Sequence, residues 1–137
     1  MFIQDDDVLE IKVYCKKYKY RWEAISEKDY NDIKDEEKKK KYTLLTVAMK
    51  ILDWGLFNKL QDEALVSKDD GEEKFNYKVY KENRIKKLIK SWDAKDKNGK
   101  PIPVDEKNIS HLAPPIAETI LKLYDEASYL NEDEEGK

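Results

Sequence analysis

One cysteine, one histidine, four glycines and four prolines in 137 residues leave little material for most site chemistries. Cys15 alone can neither close an intramolecular disulfide nor build a thiolate metal cage, which points to a reducing compartment. It stands beside Val13 and Tyr14 in an alternating run and reads as a small buried hydrophobe on a strand rather than a reactive thiol. His111, the sole histidine, excludes two-histidine metal sites and reads as a structural residue beside a short helix end. Gly55, Gly71, Gly99 and Gly136 are too scattered to bunch backbone amides into a phosphate cradle, so nucleotide binding has no support. Long apolar runs are missing too. The longest, Leu44 to Trp54, is broken by Thr46, Lys50 and Asp53 and is too short for a bilayer. Met1-Phe2-Ile3 runs straight into Asp5, Asp6 and Asp7, unlike the basic start of an export signal, so a cytoplasmic location is expected.

Charge is what the chain has in abundance: 42% of its residues are Asp, Glu, Lys or Arg. The 27 cations and 30 anions nearly cancel to −3, and this balance argues against non-specific nucleic-acid binding. With so many carboxylates, a close pair such as Asp69-Asp70 is expected by chance and lacks an apolar pocket to split its acidities. No nucleophile-elbow pattern occurs either. The chain is therefore expected not to be an enzyme, with no catalytic residue, no cofactor and no metal. Lys16, Lys17, Lys19 and Arg21 interleave with Tyr14, Tyr18, Tyr20 and Trp22, a composition suited to stacking single-stranded bases. A two-residue period, however, sends the aromatics to one face for packing and the cations to the other, and packing is the reading adopted.

The length suits a single domain, expected over residues 1–131. Leu9, Ile11, Val13 and Cys15 alternate as on a half-buried strand. After Lys16-Lys17 a second alternation through Tyr18, Tyr20, Trp22 and Ala24 predicts an antiparallel hairpin with its aromatics inside. Ser26 suits a helix N-cap, with Asp29 in the first turn. The Lys34 to Lys41 run has no apolar face and reads as an exposed helical turn or loop. From Leu44 through Leu60 apolar residues recur at three and four, which predicts a central helix bent or closely packed near Trp54-Gly55. Ser67 to Lys74 reads as a loop, Tyr77 to about Ser91 as a second long helix, and Trp92 to Val104 as a hairpin-like loop turned at Asn98-Gly99. Asp105 caps a short helix through Leu112, and Pro114-Pro115 starts a last one with Ile116, Ile120, Leu123, Tyr124, Ala127 and Leu130 facing in. Residues 132–137 have nothing to bury and are expected to form a disordered acidic tail. The sum is an α+β fold, mainly α-helical, in which a small N-terminal β-hairpin is followed by four or five helices. Its expected core includes Trp22, Leu45, Ala48, Ile51, Leu52, Leu88, Trp92, Ile116, Ile120 and Leu123.

The segment Ile85 to Leu121, IKKLIKSWDAKDKNGKPIPVDEKNISHLAPPIAETIL, resembles phage tail assembly chaperones. Its landmarks are Ser91-Trp92-Asp93 at a helix end, Asn98 to Val104 as the Gly-Pro loop, and Leu112-Ala113-Pro114-Pro115 opening the last helix. Tyr20 to Ser26 is similar to the strand-to-helix start of such proteins. The motif is structural and covers about a quarter of the chain well. The resemblance implies a non-enzymatic role in the host bacterial cytoplasm, binding the tape-measure protein or tail tube subunits during tail assembly, without a membrane. It assigns no contact residue, and the Lys34 to Lys41 run has no counterpart in it. A phage-encoded module that inhibits a host protein, for example in defence, is the alternative. Two places are expected to accept a partner's apolar helix: a strip beside Ser67 to Lys74, and the exposed end of the last helix.

Overall fold

A computed structural model describes residues 1–67 and 71–128. Along them run β1 (Val8–Lys17), β2 (Trp22–Ser26), α1 (Glu27–Asn31), α2 (Glu36–Lys39), β3 (Thr43–Lys50), α3 (Trp54–Glu63), β4 (Leu65–Ser67), β5 (Glu73–Phe75), α4 (Tyr77–Leu88), β6 (Ile89–Trp92), α5 (Glu106–Ser110) and α6 (Pro114–Ser128). Four strands form an antiparallel sheet in the order β2-β1-β3-β6, and β4 pairs with β5 in a separate two-stranded ribbon. The two-residue period puts Ile11, Val13 and Cys15 of β1 beside Leu45, Val47 and Met49 of β3 on one buried face. Helix α6 packs across β1 and β2 on that face through Ile116, Ile120, Leu121 and Tyr124, and α4 adds Ile85 and Leu88. The Tyr124 hydroxyl donates to the Lys50 carbonyl at 2.9 Å, tying α6 to the end of β3. On the opposite face of the sheet α1 lies against β1 and β2, with Tyr30 stacked on Tyr14.

Several local expectations are met. Ser26 Oγ accepts from Asp29 N at 3.1 Å and caps α1, and Asp105 Oδ1 accepts from Asn108 N at 2.7 Å and caps α5. The 93–104 segment is a tight hairpin-like loop. Gly99 has φ +80°, Asp96 Oδ1 accepts from Asn98 N and Lys100 N, and Trp92 Nε1–H donates to the Ile102 carbonyl at 2.6 Å. Asp93 reaches back to accept from Thr46 N at 2.8 Å, which fixes the loop to β3. The Lys34 to Lys41 run holds the exposed turn α2, capped by Asp35. Burial pushes the Cys15 thiol up to about 11, in keeping with an inert buried strand cysteine.

The mainly helical reading is overturned. The described residues are 41% helix and 28% strand, organised on a four-stranded sheet rather than a small hairpin. The central helix does not exist as expected: Thr43–Lys50 is β3, and helix begins only at Trp54, where Asp53 Oδ1 accepts from Leu56 N at 2.8 Å. A dense apolar run satisfies both periods, and pairing with β1 decides for strand by completing the backbone hydrogen bonds of both. The second long helix stops at Leu88, and Ile89–Trp92 becomes the edge strand β6. Within the expected 67–74 loop, Ser67 and Glu73 pair across β4 and β5, while residues 68–70 lie outside the described residues, as do Leu130 and the expected tail 132–137. The N-terminal hairpin turns at Tyr18–Arg21, not at Lys16-Lys17, with Tyr18 N–H donating to Arg21 O at 2.7 Å.

These shifts move part of the expected core outward. Leu45, Leu88, Ile116 and Ile120 are buried, and Leu52, Trp92 and Leu123 pack against the core half-buried. Ala48 points to the other face of β3, Ile51 sits at the strand end, and Trp22, at the end of the hairpin, is 37% exposed. Gly55 neither bends a helix nor admits a close neighbour. It lies in the first turn of α3, where a Cβ would meet only Asp53 Oδ1, at 3.6 Å. Gly55→Ala is therefore expected to raise stability by about 0.5 kcal/mol, since it lowers backbone entropy in the unfolded chain without a clash. A urea melt measures it, and a lowered midpoint would show a constraint at that turn.

Candidate functional site

Trp54 is 77% exposed at the start of α3 and lies over Phe57, with ring centroids 6.2 Å apart and planes 22° from parallel. The spacing of three residues on a helix sets both rings on one side. Beneath them a groove of about 500 Å³ runs between the end of β3, α3 and the end of α6. Leu9, Ile51, Leu52 and Tyr124 form its apolar floor, with Asp53 and Ser128 at the margin. A large exposed indole over an apolar concavity is the composition of a binding anchor. A second concavity, about 440 Å³, lies between α4, α5 and α6 over Ile85, Ile109 and Leu121, but the Lys81–Glu118 ion pair at 2.6 Å bridges its rim.

The other notable constellation is at the hairpin end of the sheet. Tyr18 Oη–H donates to Glu23 Oε2 at 2.6 Å and Tyr42 Oη–H to Glu23 Oε1 at 3.0 Å. Tyr14 and Tyr30 stack at 3.9 Å, and Tyr42 meets Tyr30 edge-on. The expected separation of aromatics from cations does not occur. Lys16 Nζ lies 4.7 Å from the Tyr18 ring centroid, Arg21 Cζ 4.7 Å from the same ring, Lys17 Nζ 5.8 Å from Trp22, and Lys19 Nζ 5.4 Å from Tyr20. Cations and rings share surfaces because the turn begins only at Tyr18, so Tyr14 and Lys16 fall on one strand face and Lys17 and Trp22 on the other.

This network has a pH signature. The phenol of Tyr18, then that of Tyr42, holds the Glu23 carboxyl below the usual carboxylate range. Burial, then the hydrogen bond to Glu23 and its charge, pushes Tyr42 up to about 12. A depressed carboxyl stabilises above its unfolded pKa and loses that contribution as pH falls. A raised phenol stabilises below its ordinary pKa of 10.0 and loses its contribution as pH rises towards 12. An alkaline absorbance titration is expected to include a late-ionising tyrosine that Glu23→Gln brings down. An unchanged titration in the variant would mean that burial alone holds Tyr42.

Of the places singled out in the sequence, the end of the last helix does border the groove, through Ala127 and Ser128. The ribbon beside the 67–74 segment exposes Leu65, Val66 and Phe75. His111 is the exposed C-cap of α5, and Asp69-Asp70 lies outside the described residues. Among the described residues no group of three or more His, Cys, Asp or Glu side chains is arranged to hold a metal ion, and no helix is long and apolar enough to cross a membrane. Sequence reasoning passed over Trp54 and Phe57, which it folded into a central helix. The signal that was there is Asp53, an N-cap residue directly before them. No family model, curated protein or solved structure matches the chain.

Proposed function

We propose that this chain is a non-enzymatic binding module that seats an apolar helix of a partner protein in the Trp54 groove, and that it serves phage tail assembly by holding the tape-measure protein. The observation that carries the binding reading is the exposed Trp54 stacked on half-buried Phe57 above an apolar floor, in a chain 42% of whose residues are charged. An amphipathic helix presents apolar residues at three- and four-residue steps, and such a row suits a groove of this kind, with Trp54 as the central anchor. The charged exterior then keeps the complex soluble. The tail-assembly part rests on the Ile85 to Leu121 resemblance, whose Trp92, Gly99 and Pro114 landmarks all serve to hold the fold together. Co-expression with the tape-measure protein encoded by the same phage tests it. The tape-measure protein is expected to become soluble and to co-purify with this chain. If it stays insoluble and never co-purifies, the tail-assembly reading is overturned.

A further inference from the structure

The β1–β2 turn carries Lys16, Lys17, Lys19 and Arg21, and residues 16–22 contain no acid. The Lys38 to Lys41 run is distant in sequence, yet Thr43 pairs with Cys15, so the chain entering β3 arrives beside that same turn. Lys39 Nζ lies 5.3 Å from the Tyr30 ring, Lys16 lies over Tyr42 as well as Tyr18, and Tyr30 meets Tyr42 edge-on, so neighbouring rings link the two segments. The four cations of the turn and Lys39 thus lie against rings at one end of a chain whose total charge is −3, with Asp35, Glu36 and Glu37 at the start of α2 as the neighbouring acids. Lys40 makes an exposed ion pair with Glu37 at 3.4 Å. Glu23, on the strand side of the cluster, has one oxygen accepting from Tyr18 and the other from Tyr42. Tyr20, at 89% exposed, and Trp22 offer open ring faces next to Lys19 and Lys17.

We infer that this end of the sheet binds single-stranded nucleic acid, with phosphates on the lysines of the two basic segments and bases stacked on Tyr20 and Trp22. This goes beyond the groove reading and uses none of its residues. An acidic peptide would use the cations but leave the rings idle, and a duplex offers no open base faces. A single strand uses both. The near-neutral total charge does not oppose it, because at physiological salt charges beyond about 8 Å are largely screened and the local cluster decides.

The test is fluorescence anisotropy of the full chain with a labelled thymidylate strand of about twelve nucleotides, a length within the range of single-strand sites. With about four phosphates neutralised, affinity is expected to fall about 50-fold between about 50 and 200 mM salt. Tyr20→Ala, which removes an exposed ring, is expected to weaken binding by about 5- to 100-fold while circular dichroism stays unchanged. The double variant Lys17→Glu, Lys19→Glu is expected to abolish binding. No binding at the lower salt overturns the inference. So does equal binding of a duplex, or competition by polyglutamate with Tyr20→Ala indifferent, the outcome that would identify an acidic protein as the partner instead.

Discussion

Val47→Lys is expected to cost more than about 4–5 kcal/mol of stability, whereas Ala48→Lys, one residue further on, is expected to cost about 1 kcal/mol or less. Val47 is fully buried in β3, between Ile11 of β1 and Trp92 of β6. An ammonium there has no partner and no water, a burden above about 4–5 kcal/mol against a total stability of about 5–15. Ala48 faces the open side of the sheet, opposite Glu10, where a lysine gains an opposite charge across the strands. On a core-facing helix the two positions would share the apolar stripe and both substitutions would be damaging. Circular dichroism and urea melts of the two variants decide it, and comparable losses in both would refute the strand.

Trp54→Ala is expected to separate binding from stability. The indole is largely exposed, so the urea midpoint is expected to move by less than about 0.5 kcal/mol, as for ordinary surface changes. If the groove seats a partner helix, the same substitution removes the anchor and weakens binding by about 30-fold or more, the loss typical of a central interface tryptophan. Phe57→Ala, half-buried beside it, is expected to lower both. Calorimetric titration with the partner's isolated helix gives the affinities. A Trp54→Ala variant that binds as tightly as the parent would remove the groove from the function, while an effect of Tyr20→Ala on the same titration would move the contact to the hairpin end.

Much of the local architecture was legible because its partners lie within a few residues. Ser26 and Asp105 satisfy the free amides of their helices three positions on, and Asp96 with Gly99 closes its loop within four. The same locality made β1 readable through its clean alternation of Leu9, Ile11, Val13 and Cys15. The candidate sites were only partly legible. The end of α6 was expected to matter, but the Trp54 rings were assigned to a helix that β3 replaces.

The sequence by itself determined the caps, the turn at Asn98-Gly99, the alternation of β1 and the shortage of catalytic side chains, since each depends on residue identity and short-range hydrogen bonds. Only the tertiary structure decided that Thr43–Lys50 and Ile89–Trp92 are strands, that a groove opens under Trp54, and that Tyr42 comes to lie against Lys16 and Glu23 of the hairpin. The physical reason is that a strand's backbone bonds go to residues far along the chain. A short apolar run such as Leu44 to Leu52 therefore carries no local preference until a neighbour offers its unpaired edge, and β1 offers one.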